Sequence, residues 1–234
     1  MPEVPRVRLE VREDGGTIHE VRPEAEWPLS RTRWNDLHLR ANGSLTVAPA
    51  TVSDTVAFDV RSGRTGFTWE VPEDTEITGP MALRLFLETQ GAEDVYLFVG
   101  IQKLRAGRVV PFEGSYGYGF DRVATGWLKA SLRKADPDRS ISWAPHHAYD
   151  EVQPLKEGEI SAVDIALLPS ATFFRKGEQL RLVVQGHWFS IRNPLFGQFP
   201  VAYERSPRGT CVLHCGGEHA ARLRIPVIPG RGGV

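Results

Sequence analysis

Apolar and polar residues alternate with a period of two along most of the chain, and this alternation is typical of half-buried β-strands. Residues 6–12 alternate in this way and end at the turn Asp14-Gly15-Gly16. A hairpin is predicted around Asn42-Gly43, because both central residues of such a tight turn need positive φ. Further strands are predicted at 37–40, 44–47, 55–60, 82–88, 95–101, 163–169, 180–186, 211–214 and 222–227.

These strands, with turn residues between them, indicate an all-β sandwich or jelly roll. The segment 95–101 is apolar on both of its faces, which predicts a position in the middle of a sheet. One short helix is predicted over 126–134, with Asp136-Pro137 as its stop. The stretches 112–153 and 188–209 fit no regular element, and long loops of this kind are usually functional or form interfaces.

Composition narrows the class of protein. The chain has 234 residues, 41% of them apolar, with 28 Lys and Arg against 29 Asp and Glu. Its length suits one large β-type domain with a sizeable core. A net charge of −1 without a basic block argues against nucleic acid and anionic membranes as partners. No membrane-spanning apolar run and no secretory signal are visible, so a cytoplasmic location is predicted.

Ser115 is the first candidate for chemistry, because Gly-x-Ser-x-Gly marks the nucleophile elbow of many hydrolases. Here the frame reads Glu113-Gly114-Ser115-Tyr116-Gly117, so glutamate replaces the first glycine. A tight elbow tolerates a side chain poorly at that position. We therefore interpret this segment as a glycine-rich loop.

Two further groups of residues are candidate sites. Cys211, His214, Cys215 and His219 are potential zinc ligands, but residues three apart in a strand point to opposite faces. We therefore favour the interpretation that the two cysteines are free and buried over a zinc site. His146, His147, Tyr149, Asp150 and Glu151 could supply a base and carboxylates, yet no nucleophile lies nearby, and a solvated loop is favoured. No metal and no cofactor are expected.

Aromatic residues on the two long loops form the last candidate set. Such residues fill a core or an interface, and as an alternative they stack on a ligand. We favour a core or an interface. The set comprises Trp127, Trp143, Trp188, Phe189, Phe196, Phe199 and Tyr203.

Three blocks of the sequence resemble motifs of one enzyme family. Residues 76–85 (EITGPMALRL) look like its "v-T-G-P-v-e-L-r-L" strand, and residues 153–160 look like its "P-L-x-P-G-E-v" turn. Residues 163–182 are similar to "v-d-I-x-l-x-P-t-a-x-x-F-r-x-G-h-r-L-R-L". Weaker similarities cover 34–45 and 212–217. Together the blocks resemble the C-terminal domain of X-Pro dipeptidyl-peptidases and of cocaine-esterase-type acyl hydrolases.

This resemblance implies a jelly-roll β-sandwich of galactose-binding-like type that follows an α/β-hydrolase domain and helps to shape its substrate pocket. The catalytic triad belongs to the hydrolase part, so no catalytic residue is carried over to this chain. The resemblance implies a linker at 1–5, one β-domain at 6–229 and a tail at 230–234. It also leads us to expect that 112–153 crosses onto a partner or another domain.

The resulting hypothesis is an accessory β-domain without catalysis of its own. Its partner would be an α/β-hydrolase domain, in cis upstream or in trans, and self-association through the docking face is the alternative. A large exposed apolar patch is its expected signature. Two rivals stay open: a stand-alone carbohydrate- or ligand-binding module, and an independent hydrolase built on Ser115 and one histidine.

Overall fold

A computed structural model of the chain describes residues 4–113, 120–189 and 207–230. Within these ranges the regular structure is β-strand, apart from one 3-10 turn at Ala130–Leu132. The strands are β1 (Val7–Arg12), β2 (Ile18–Glu24), β3 (Arg33–Leu39), β4 (Leu45–Thr46), β5 (Asp54–Asp59), β6 (Arg64–Glu70), β7 (Thr75–Gln90), β8 (Tyr96–Arg105), β9 (Arg108–Val109), β10 (Phe112–Glu113), β11 (Phe120–Asp121), β12 (Ala124–Lys129), β13 (Ser161–Phe174), β14 (Gln179–Gln185), β15 (Thr210–Gly216), β16 (His219–Ala220) and β17 (Arg222–Ile228).

Two main sheets and a two-stranded sheet, β10-β11, make up the described fold. The larger main sheet has the order β2-β1-β13-β7-β17-β3-β4, and β15 adds β5 and β16 beside β7. The smaller main sheet has the order β12-β8-β14-β6, with β9 on β8. Strand β7 is the spine of the large sheet, because it pairs with β13 along one side and with β17 and then β15 along the other.

The core lies between the inner faces of the two sheets. Leu83 and Leu85 from β7 and Ile165 from β13 belong to the same buried cluster as Ile101 from β8 and Leu182 from β14. Successive side chains of a strand point to opposite faces, so alternation in the sequence becomes one buried and one outer face per sheet. The predicted all-β sandwich is confirmed.

Strand β8 lies between β12 and β14, which agrees with the interior position predicted for 95–101. The hairpin around Asn42-Gly43 also forms, since β3 pairs with β4, but the expectation of positive φ at both residues holds only for Gly43, with a φ of 82°. Among the described residues no helix is long and apolar enough to cross a membrane.

The helix predicted over 126–134 is wrong. Residues Ala124–Lys129 form β12, and only Ala130–Leu132 turn as a 3-10 helix. In β12 burial alternates, with Leu128 buried and Trp127 half exposed, and all six residues pair with β8. Tertiary pairing with β8 overrides the weak helical spacing of Trp127, Leu128 and Leu132.

Candidate functional site

Four aromatic side chains meet on the outer face of the small sheet. Trp188 packs edge-on against Trp127 at 5.9 Å and against Phe98 at 5.6 Å between ring centroids. Phe189 lies 5.8 Å from Trp188. We call Phe98, Trp127, Trp188 and Phe189 the aromatic cluster. It joins strands β8 and β12 to the segment that follows β14.

Gly100 makes room for this cluster. A Cβ at Gly100 would come within 2.6 Å of Arg122 Cδ and 2.9 Å of Phe189 Cζ, closer than van der Waals contact allows. The Arg122 guanidinium lies 3.9 Å from the centre of the Phe189 ring, which is cation–π geometry. The site thus combines apolar rings with one stacked positive charge, and half of the Trp127 side chain remains open to solvent.

Only part of the predicted aromatic set converges here. Trp127, Trp188 and Phe189 come together, whereas Trp143 lies on the large sheet, stacked on Trp34 at 5.1 Å with 3° between the rings. Phe98 was missed, because a phenylalanine inside a strongly apolar strand reads as core. Phe196, Phe199 and Tyr203 lie outside the described residues, and their roles stay predictions.

The segment 134–149 forms an arm over the outer face of the large sheet. Asp136 N donates to His146 O at 2.9 Å, and Ala148 N donates to Lys134 O at 3.0 Å, so the arm is closed on itself. His147 Nε2 fixes it to β13 through Asp164 O at 2.8 Å. Residues 134–149 therefore pack on their own sheet, held there by these hydrogen bonds and the Trp34–Trp143 stack, and the expectation that 112–153 crosses onto a partner or another domain stays a prediction.

A pocket of about 320 Å³ lies between the arm and the large sheet. Arg84, Asp164 and Arg224 line its charged floor: Arg84 pairs with Asp164, both contacts at 2.7 Å, and Arg224 pairs with Asp36 at 2.7 and 2.8 Å. Burial disfavours the charged form of Asp36, but hydrogen bonding and charge from Arg224, together with the charge of Arg222, outweigh it and lower the pKa of this carboxyl.

The residues 146–151 do not form an acid–base site. With the Asp164 carbonyl as its acceptor, His147 Nε2 is the donor, so this nitrogen is occupied in holding the arm. Asp150 and Glu151 each pair with Lys134 at 3.1 Å. Ser140 Oγ bonds to the backbone of His146 rather than to a ring nitrogen. The solvated-loop interpretation fits this geometry.

The four potential zinc ligands point to two different faces of β15. Cys211 and Cys215 are buried in the core, whereas His214 faces outward beside His219, with 5.7 Å between the ring centroids. Burial raises the pKa of Cys211 to about 12 and that of Cys215 to about 11, so both thiols stay neutral. Within the described ranges no group of ligating side chains converges. Ser115, the candidate nucleophile, lies outside them.

Comparison with known families decides what kind of domain this is. Residues 3–224 match the family described as the X-Pro dipeptidyl-peptidase C-terminal non-catalytic domain. The chain belongs to this family. The resemblance noted in the sequence is thereby confirmed, and the accessory-domain hypothesis rests on membership of a family whose description is non-catalytic. A search of curated proteins finds no match.

Solved structures agree with this C-terminal-domain assignment. Two crystal structures of a CocE/NonD family hydrolase from Staphylococcus aureus match at 32% identity with a TM-score of 0.92, covering 96% and 97% of this chain and 42% of theirs. An aminopeptidase from a marine sediment Thaumarchaeota archaeon matches at 17% identity and a TM-score of 0.70, covering 97% of this chain and 41% of that one. An α-amino acid ester hydrolase matches at 16% identity and a TM-score of 0.59, covering 89% of this chain and 39% of that one.

The last two similarities show the fold alone. In all of these proteins the matching region is one part of a longer chain, and this chain spans less than half of their length.

Proposed function

We propose that this chain is the accessory β-domain of a serine hydrolase of the X-Pro dipeptidyl-peptidase or acyl-esterase type. It packs on an α/β-hydrolase domain, in cis or in trans, and helps to shape the substrate pocket there. The observation that carries the proposal is the match of residues 3–224 to a family of non-catalytic C-terminal domains. The CocE/NonD family hydrolase also supports it, because the match covers 42% of that chain and leaves about three-fifths of the hydrolase outside.

The aromatic cluster is the proposed docking face. Interfaces are enriched in aromatic residues and arginine, and buried Trp and Arg side chains dominate binding energies. The cluster supplies Trp127, half exposed, with Trp188 and Phe189 behind it and Arg122 stacked on top. Phe196 and Tyr203 are proposed to extend this face, and Trp143 is proposed to act separately, at the arm.

The domain limits belong to the same proposal. Residues 6–229 would form the β-domain, with 1–5 as the linker from the hydrolase domain and 230–234 as a tail. The galactose-binding-like classification and the cytoplasmic location stay predictions. Self-association through the same face is the competing use of the aromatic cluster when no hydrolase domain is present.

Co-expression tests the docking proposal. The tagged chain is produced together with the α/β-hydrolase segment encoded upstream in the same reading frame or in a neighbouring gene, and pairing is measured by size-exclusion chromatography with light scattering. We expect a one-to-one complex. Trp127→Ser should weaken pairing about tenfold or more, because an interfacial tryptophan is commonly worth more than about 2 kcal/mol.

Trp27→Ser is the matched control, since Trp27 is also partly exposed, at 41% against 50% for Trp127, and lies in the connection between β2 and β3. Pairing that is lost equally in both variants would argue against the aromatic cluster as the docking face. The absence of any complex with the wild-type chain would overturn the accessory role.

Carbohydrate binding is the alternative function. The aromatic cluster supplies the aromatic surface that it needs, but Trp188 meets Trp127 at 81° and Phe98 at 76°, so the rings do not form one flat platform. Calorimetric titration with a panel of sugars distinguishes the two functions, because saturable heat would favour the alternative.

A further inference from the structure

The pocket under the arm has the composition of a ligand site that the docking role does not use. It is walled by the arm on one side and by β7, β13 and β17 on the other, and its volume of about 320 Å³ is at the lower end of small-molecule pockets. We propose that this arm pocket binds a small organic carboxylate, held by Arg222. The inference does not depend on the proposed docking function.

The charge of the pocket favours an anion. Three arginines lie at its floor, Arg84, Arg222 and Arg224, and two aspartates, Asp36 and Asp164, pair with them. Three positive charges against two negative ones leave an excess of one positive charge. A monoanion such as a carboxylate neutralises that excess, whereas a doubly charged phosphate would exceed it.

Arg222 is the arginine of the three whose terminal nitrogens make no hydrogen bond within the described residues. Arg84 and Arg224 each use two nitrogens in a bidentate pair with an aspartate. Arg222 instead approaches Asp36 with Nε alone, at 3.4 Å, and within the described part of the chain its side chain makes no hydrogen bond. Its terminal nitrogens therefore offer the planar fork that matches two carboxylate oxygens.

The remaining walls limit the ligand to a short hydrocarbon body. Small apolar side chains line the pocket beside the arginines, namely Ala82, Ala135, Ile141 and Pro145. His147 lines it too, and with Nε2 donating to Asp164 O, its Nδ1 is a buried nitrogen that lacks a partner among the described residues. Branched short-chain acids such as isobutyrate combine the required charge, size and apolar surface.

Nuclear magnetic resonance titration of the 234-residue chain tests the proposal. Isobutyrate is the probe, isobutyramide is its uncharged isostere, and inorganic phosphate is the alternative anion. We expect saturable shifts of the amide signals of Ala82, Arg84 and Ser142 with isobutyrate, and no saturation with isobutyramide. Saturation by phosphate but not by isobutyrate would overturn the carboxylate assignment, and so would equal binding of the amide.

Variants localise the site. Arg222→Gln should weaken isobutyrate binding at least about tenfold, since a hydrogen bond to a charged group contributes about 1.5–3 kcal/mol and about 1.4 kcal/mol is tenfold. Arg64→Gln removes the same charge from an exposed position on β6 and should leave binding unchanged. Ala82→Leu fills the floor without changing the charge and should abolish binding. Unchanged binding in both Arg222→Gln and Ala82→Leu would overturn the proposal.

Discussion

Lys103 Nζ lies 2.7 Å from Glu178 Oε2, and both side chains are withdrawn from solvent, with exposed fractions of 0% and 6%. The lysine also donates to Glu13 O at 2.9 Å and Phe173 O at 2.7 Å, so each of its three protons has an acceptor. Burial lowers the pKa of Lys103. For Glu178 burial acts in the opposite direction, but hydrogen bonds from Lys103, Arg105 and the Arg175 amide prevail and lower the pKa.

Lys103→Met should therefore destabilise the fold strongly. It leaves the Glu178 carboxylate buried without one of its two cations, and breaking a buried pair costs about 3–5 kcal/mol. Because Arg105 still contacts Glu178 at 2.6 Å, we expect a value near the lower end, about 3 kcal/mol. Urea denaturation measures it, with exposed Lys176→Met as the control.

The double variant Lys103→Met/Glu178→Gln separates charge from packing. It should be more stable than Lys103→Met, because it removes the buried negative charge that Lys103→Met leaves to Arg105 alone. A double variant that is less stable than Lys103→Met would contradict this account of the pair.

Glu24 should make the free energy of unfolding depend on pH in the acid range. Hydrogen bonding to Arg31 foremost, and to Arg22, outweighs burial and lowers its pKa from 4.5 to about 2. A carboxyl whose pKa is lowered in the folded state stabilises the fold at pH values above its pKa in the unfolded chain. This contribution is lost as the pH falls from about 4.5 through about 2.

Glu24→Gln should accordingly lower the free energy of unfolding at pH 7 by about 2–3 kcal/mol and flatten its fall between pH 5 and pH 2. Urea denaturation across this pH range is the measurement, and exposed Glu157→Gln is the control. A wild-type curve with the same slope as Glu24→Gln would refute the role of Glu24.

Cys211 and Cys215 should be inert in the native protein. Their buried thiols have pKa values of about 12 and about 11, and the thiolate is the reactive form. Ellman's reagent at pH 8 should therefore titrate no thiol in the folded chain and two thiols in denaturant. Rapid reaction of the folded chain would show that β15 opens or that the core is wrongly placed.

Gly126 and Gly100 should respond differently to alanine. A Cβ at Gly126 would collide with the Ala166 carbonyl, which is backbone, whereas one at Gly100 would meet the ends of Arg122 and Phe189. Gly126→Ala should lower the free energy of unfolding by about 3 kcal/mol, at the upper end for overpacking. Gly100→Ala should cost less and instead change the fluorescence of the aromatic cluster. Equal losses of stability would contradict the assigned geometry.

The parts of the fold with a simple alternating pattern were predictable, and the parts that break it were not. The alternating pattern predicts strand β7 only at 82–88, because Gly79-Pro80 reads as a turn, and the family resemblance extends it back to 76, yet the strand runs from Thr75 to Gln90. Gly79, with a φ of 142°, packs against Pro226, and both neighbouring pairings shift register near this point. Such bulges admit proline within a sheet.

Strand β2 was missed for a different reason. Its one fully buried position is Arg22, which contacts Glu20, Glu24 and Glu76, so the strand shows no apolar alternation. The aromatic cluster could be predicted in part, since Trp127, Trp188 and Phe189 were candidates. That Trp143 pairs with Trp34 instead depends on the arm, whose path is fixed by backbone hydrogen bonds that no side-chain pattern reveals.

Labelling with a fluorophosphonate, read by intact mass, tests the central claim most directly. An activated serine reacts with this reagent, whereas the accessory-domain account places the nucleophile in a separate hydrolase domain. We predict that the purified chain gains no adduct, while a serine hydrolase treated in parallel is labelled completely. A stoichiometric adduct mapped to Ser115 would contradict the account, because the chain would then carry a catalytic centre of its own.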